Sequence, residues 1–139
     1  MAKGVDPALA ARIATRAYAV AFAFFQPSPE WDMQELEAID LSTHDDHACA
    51  QLWTRPDYLT AKVVYDPARM DDTAHVWHTI GHEVAHLLLS EYDALQCGVA
   101  GQLDRALTHA NERTVTRLER LFKRERPYPG DEAFKEATP

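Results

Sequence analysis

The stretch HTIGHEVAH, residues 78 to 86, constrains this chain more than any other. His82 and His86 stand four residues apart, so they reach one point in space if the segment is α-helical, where residues one turn apart lie above each other. Two imidazoles so placed have a separation suited to a tetrahedral Zn²⁺, which takes a third protein ligand and, for catalysis, a water in the fourth position. The fold must therefore return another ligand from a second element. Glu83, beside the first histidine, is placed to take that water's proton as it attacks a carbonyl. In a chain this rich in His and Glu, a chance HExxH comes at roughly 2%, and a helix with apolar neighbours lowers that further. The competing reading is a solvated helix face carrying His75, His78, His82 and His86 in one stripe.

The surrounding pattern supports the helix. Asp71 and Asp72 can cap a segment from about Thr73 to Tyr92, with Val76, Ile80, Val84, Leu87 and Leu88 as its apolar stripe. Upstream, Asp6-Pro7 reads as an N-cap with proline at the first helical position, and the Ala-rich run to about Phe25 makes a first helix, with Leu9, Ile13, Val20 and Phe24 at helical spacing. From Trp31 the period changes. Trp31, Met33, Ile39 and Leu41 share one parity and Asp32, Gln34 and Asp40 the other, as in a half-exposed strand, although Glu35 and Glu37 sit on the apolar parity. ACAQLWT (48 to 54) and LTAKVVYD (59 to 66) flank RPDY, which predicts a hairpin. A last helical tract runs to about Arg124 and closes at RPYPG; residues 131 to 139 are expected to fray, leaving 1 to 130 as one domain.

In that last tract, Val115, Leu118 and Phe122 define an inner face, while Arg113, Arg117, Arg120 and Arg124 form an opposite, solvated stripe. Glu112 lies on the inner face, where a carboxylate without a cation is costly to bury, which makes it the favoured third ligand. His109, one turn earlier, is the main rival, and Glu119, two turns later, a weaker one. An ion pair with an arginine is the structural alternative for Glu112.

Composition limits the partners. With 14 Lys plus Arg against 22 Asp plus Glu, the net charge of −8 opposes polyanions such as nucleic acid or acidic lipid, so peptides, proteins or metal ions are the expected partners. Cys49 and Cys97 form no CxxC pair and indicate neither a disulfide framework nor a thiolate zinc ribbon; the chain reads as cytoplasmic, and Cys49 as core. The apolar AYAVAFAFF, residues 17 to 25, is nine residues long, short for a bilayer, and QPSP follows it without a small-x-small cleavage site.

From Trp31 through YLTAKVVYDP and HTIGHEVAHLLL to NERTVTRLERL, the chain resembles small zincin-like metallopeptidase proteins, often from phages and bacteria, related in plan to the ImmA/IrrE-type minimal zincins. The resemblance implies an α+β fold made of an N-terminal helix, a three-stranded antiparallel sheet, the HExxH helix and a C-terminal helix with the third ligand. It implies Zn²⁺ on His82, His86 and Glu112, with Glu83 as general base in peptide-bond hydrolysis. It further implies that TAKVVYD lies along the cleft and pairs with an extended substrate. Tyr65, His78 and His109 are candidates for polarising the scissile carbonyl. A metzincin continuation would need glycine at Leu89 and histidine at Tyr92, which excludes that branch; HACAQ around Cys49 does not match a peptide deformylase. Asn111-Glu112 matches the Asn-Glu pair of gluzincins, yet Thr116 stands where a thermolysin-like enzyme has the aspartate that orients a histidine. The alternative of another class is a non-catalytic zincin-like module for phage assembly or regulation, with a structural zinc.

Overall fold

The computed structural model describes residues 4–27, 32–33, 36–43, 48–55, 60–96 and 102–135, the side chains of 32–33, 43, 55, 90–96 and 102–111 excepted. Asp6 accepts a hydrogen bond from the Leu9 N–H at 3.1 Å and so starts α1, Pro7–Phe25, with proline at its first turn; Gln26, at φ 48°, ends it by donating to the Phe22 carbonyl. The buried side of α1 is carried by Ala10, Ala14, Ala17 and Ala21 around Ile13, all fully buried, whereas Leu9, Val20 and Phe24 only flank the core. Small side chains let two helices approach closely, and α1 packs most extensively on the metal-motif helix. The nine-residue apolar run is thus part of a 19-residue helix that, by length and composition alone, could cross a membrane.

The sheet is small and mixed, which makes the fold α+β. Strands β1 (Asp32–Met33) and β2 (Glu37–Ala38) both pair in parallel with one edge of β4 (Thr60–Tyr65), and β3 (Ala50–Arg55) pairs antiparallel with its other edge. The expected antiparallel three-stranded sheet is corrected here: three strand positions exist, but the first, split into β1 and β2, runs parallel to β4 on the edge that β3 leaves free. The register explains the disturbed alternation too. Met33 pairs with Ala61 and Glu37 with Val64, so the outer strand spends four residues where β4 spends three, which changes the parity and leaves Glu37 exposed. The turn between β3 and β4, residues 56–59, lies outside the described residues.

Because both edges of β4 are taken, TAKVVYD cannot be the strand that receives an extended ligand. The Asp66 N–H donates to the Cys49 carbonyl at 2.9 Å, which makes 49, 51 and 53 the residues bonded to β4. Ala50, Leu52 and Thr54 then point their N–H and C=O groups away from it, and among the described residues no strand covers that edge.

Helix α2, Thr73–Gln96, lies across β3 and β4 and starts at Asp72, whose carboxylate accepts from the His75 N–H at 2.8 Å. Helix α3, Gln102–Glu125, packs on α2, and the closest approach is set by Gly81: a Cβ there would stand 2.6 Å from two ring carbons of Phe122. Phe122 is fully buried among Phe24, Phe25 and Trp77, at ring-centroid distances of 5.7, 5.6 and 6.2 Å. Arg113, Arg117, Arg120 and Arg124 are exposed on the far side of α3.

The chain end departs from the expected fraying. Asp131–Phe134 forms a 3₁₀ turn whose Phe134 is buried at 5% exposure, and its carbonyl accepts from Arg12 Nε at 2.9 Å. Tyr128 and Thr73 both donate to Asp131 Oδ1 at 2.6 Å, and Trp77 Nε1 donates to the Arg126 carbonyl at 2.9 Å. An aromatic anchor and these bonds tie the segment to α1 and α2; residues 136–139 lie outside the described part.

Candidate metal centre

Three residues on α2 and one on α3 build the site. His82 and His86 stand one turn apart, half-buried, and their Nε2 atoms are 3.2 Å apart. Two nitrogens at about 2.0–2.1 Å from one tetrahedral ion lie about 3.3–3.4 Å from each other, so this spacing already matches a shared metal. Glu112 enters from α3 with Oε1 3.6 Å from His86 Nε2, and the three ligand atoms all lie within 4.8 Å of one another. This His-His-Glu group can hold a metal ion. Two imidazoles and one carboxylate are donors that suit zinc and other first-row divalent metals while leaving coordination positions open.

The electrostatics follow from burial and neighbours. Glu83 is 8% exposed, and burial pushes its carboxyl up to about 7, against the opposing pull of His82 and of a backbone hydrogen bond from Leu52. That bond favours the anion, so it comes from the Leu52 N–H, one of the outward-facing groups of β3. For His82, burial works to lower the proton affinity, but the hydrogen bond to Glu119 and the charges of Glu83, Glu119 and Glu112 together raise it above the ordinary value. Burial and the neighbouring His82 hold His86 below it. Glu119 is lowered, chiefly by its hydrogen bond with His82.

A cleft of about 270 Å³ opens beside His82 and Glu83, lined by Cys49 and Ala50 from β3, His75, Thr79, His82 and Glu83 from α2, and Glu119 from α3; His86 and Glu112 do not line it. Cys49, read from sequence as core, is half-buried at this wall, with its thiol donating to the Arg69 carbonyl at 3.5 Å. The bland alternative for Glu112, an arginine ion pair, has no counterpart among the described residues; its partner there is His86, at 3.6 Å.

The secondary candidates fall elsewhere. Tyr65 is buried at 3% exposure in the main core and lines no part of the cleft. His78 is half-buried on α2, with burial lowering its proton affinity, and does not line the cleft. The side chain of His109 lies outside the described residues. Sequence reasoning treated Glu119 only as a rival ligand; the structure places its Oε2 2.9 Å from Nδ1 of His82, on the far side of the ring from the metal-facing nitrogen. The available signal was its spacing: seven residues beyond Glu112 is two turns, hence the same helix face. Compared with known proteins, the chain matches no family model, no curated protein and no solved structure.

Proposed function

We propose that this chain is a zinc-dependent metallopeptidase of zincin-like fold, with His82, His86 and Glu112 as metal ligands and Glu83 as general base. The observation that carries the reading is the 3.2 Å separation of the two Nε2 atoms with the Glu112 carboxylate converging on them and a buried acid one residue away. A zinc ion held there supplies Lewis acidity and lowers the proton affinity of a coordinated water.

The protein's own groups account for the remainder. Glu83, drawn by burial to about 7, can accept and return a proton near neutrality, and the Leu52 N–H fixes the direction of its carboxylate. The β3 edge that no described strand covers starts at Ala50 on the cleft wall; the N–H and C=O of Ala50 and Thr54 and the C=O of Leu52 can pair with an extended backbone, which supports a peptide over a compact small molecule as substrate. The net charge of −8 disfavours polyanions as substrates.

The test is elemental analysis of the purified chain together with hydrolysis of an unstructured protein substrate. One zinc per chain is expected in wild type. Glu83→Gln should keep that zinc and lose at least ~100-fold in turnover. Hydrolysis retained in Glu83→Gln removes the mechanism; zinc without any hydrolysis leaves the structural-zinc module as the reading; no zinc after reconstitution removes both.

A further inference from the structure

Helix α3 carries a second carboxylate toward the histidine pair. Glu112 and Glu119 are two turns apart on one face, the first with Oε1 3.6 Å from His86 Nε2 and the second with Oε2 2.9 Å from His82 Nδ1. The two contacts differ in kind. Nδ1 and Nε2 lie on opposite sides of an imidazole, so a group bonded to Nδ1 cannot share the ion that Nε2 faces, and Glu119 is not a fourth ligand. An ionised carboxylate is only an acceptor, so His82 carries a proton on Nδ1, and in the neutral ring that leaves Nε2 bare. The neighbouring 3.2 Å contact agrees with this. With His82 Nε2 bare, it can accept a proton shared by His86 Nε2 across the 3.2 Å between them.

From this arrangement we infer that Glu119 is the positioning residue of the centre, fixing the tautomer and ring orientation of His82 so that Nε2 is presented to the metal. The inference rests on the proposed metal site, but its core statement concerns the apo protein and can be decided there. Carboxylate partners of this kind hold a ligand ring in place and raise its basicity, and their loss typically weakens metal binding 10- to 100-fold. The role also accounts for Thr116. An aspartate there, four residues past Glu112, is the thermolysin-like solution; in this chain a longer acid three residues further on reaches Nδ1 instead. Its reach depends on the close helix approach at Gly81, where Phe122 sits one turn beyond Glu119 and directly over the residue before His82.

The experiment compares wild type with Glu119→Ala and Glu119→Gln. Imidazole tautomers are read from long-range ¹H–¹⁵N correlation spectra of the zinc-free protein at pH 8, and zinc affinity from competition with a chromophoric chelator. Wild type should show His82 protonated at Nδ1 only. In Glu119→Ala the His82 signal should move to the other tautomer or to a mixture, with zinc bound 10- to 100-fold more weakly. Glu119→Gln, whose amide oxygen can accept the same bond without the charge, should keep the tautomer and recover most of the affinity. An unchanged His82 tautomer in Glu119→Ala overturns the inference, as does zinc affinity within threefold of wild type. Should Glu119→Ala fail to fold, Glu119→Lys, which can only donate, replaces it in both measurements. If wild type binds no zinc, the proposed function falls, and the tautomer comparison still decides the role of Glu119.

Discussion

Replacing Gly81 by alanine tests how the two site helices are held together. Ordinary carbon contacts are about 3.5–4.0 Å, and the added methyl would lie 2.6 Å from Cδ2 and Cε2 of Phe122, an overlap of about 1 Å. The ring has nowhere to go: it is fully buried and stacked among Phe24, Phe25 and Trp77. Relief must come from an off-rotamer ring or from α3 moving outward. Overpacking of this kind costs about 1–3 kcal/mol, while exchanging glycine for alanine inside a helix returns about 1 kcal/mol. The net expectation is destabilisation by about 1 kcal/mol, a fall of roughly 4 °C in Tm for a chain of this size. Metal binding should suffer more than stability. An outward shift of even ~0.7 Å stretches the Glu119–His82 bond from 2.9 Å past hydrogen-bonding range, so zinc affinity should drop by about tenfold, in line with loss of an orienting partner. Calorimetry and chelator competition read the two effects. Adding Phe122→Leu should relieve the clash, making the double variant more stable than the sum of the two changes by about 1 kcal/mol. A Gly81→Ala protein with a raised Tm and unchanged zinc affinity, as helix propensity alone requires, would refute the close-approach argument.

The other expectations are simpler. Tyr18 has a buried hydroxyl with no hydrogen-bond partner among the described residues, and burial pushes its pKa from 10.0 up to about 12. Above pH 10 the unfolded chain ionises this group before the folded one does, so stability falls as pH climbs toward 12; in Tyr18→Phe that part of the alkaline loss should vanish, and its absence as a difference between urea midpoints at pH 9 and 11 would sink the assignment. Phe134→Ala should cost about 3 kcal/mol in chemical denaturation, because the ring is buried against Tyr128 and Trp77 at centroid distances of 5.7 and 6.1 Å; a frayed tail would lose nothing.

What could be read in the sequence and what could not divide along physical lines. Helix ends marked by Asp6 and Asp72, and ligands spaced one turn apart, are local signals, and the elements follow them. Glu112 was expected near the histidines as a carboxylate on a buried helix face; the structure brings it within reach of His86 but leaves it exposed, so proximity and not the cost of burial is what its position shows. The sheet was harder. β1 and β2 are two residues each, their partner lies some 28 positions on, and the one-residue shift in register destroys the alternation that would have revealed them. Strand direction depends on how the chain crosses between elements distant in sequence, and nothing in a strand's own residues records that. The docking of Phe134 was obscured by RPYPG, whose turn residues read as an ending although an aromatic follows them. Glu119 was visible as a residue on the right face, but its role depends on which ring nitrogen it meets, a matter of ångströms between two helices.

Helix α2 also shapes how freely this chain can change. Of the twelve positions 76–87, eight are buried and His82 and His86 are the proposed ligand pair, which leaves only His78 and Thr79 without one of these duties. One face holds the alanine side of α1, another admits the Phe122 ring, and a third faces the cleft, so the segment has almost no neutral sites through which variation could accumulate. A saturation library across 76–87 should yield folded, metal-loading members mainly at His78 and Thr79, with only small conservative exchanges such as Glu83→Gln tolerated at the other positions. The same library at Arg113, Arg117, Arg120 and Arg124, all exposed, should be nearly silent. Substitution in this molecule is therefore confined by a single helix, and its history of change should be written nearly everywhere except there.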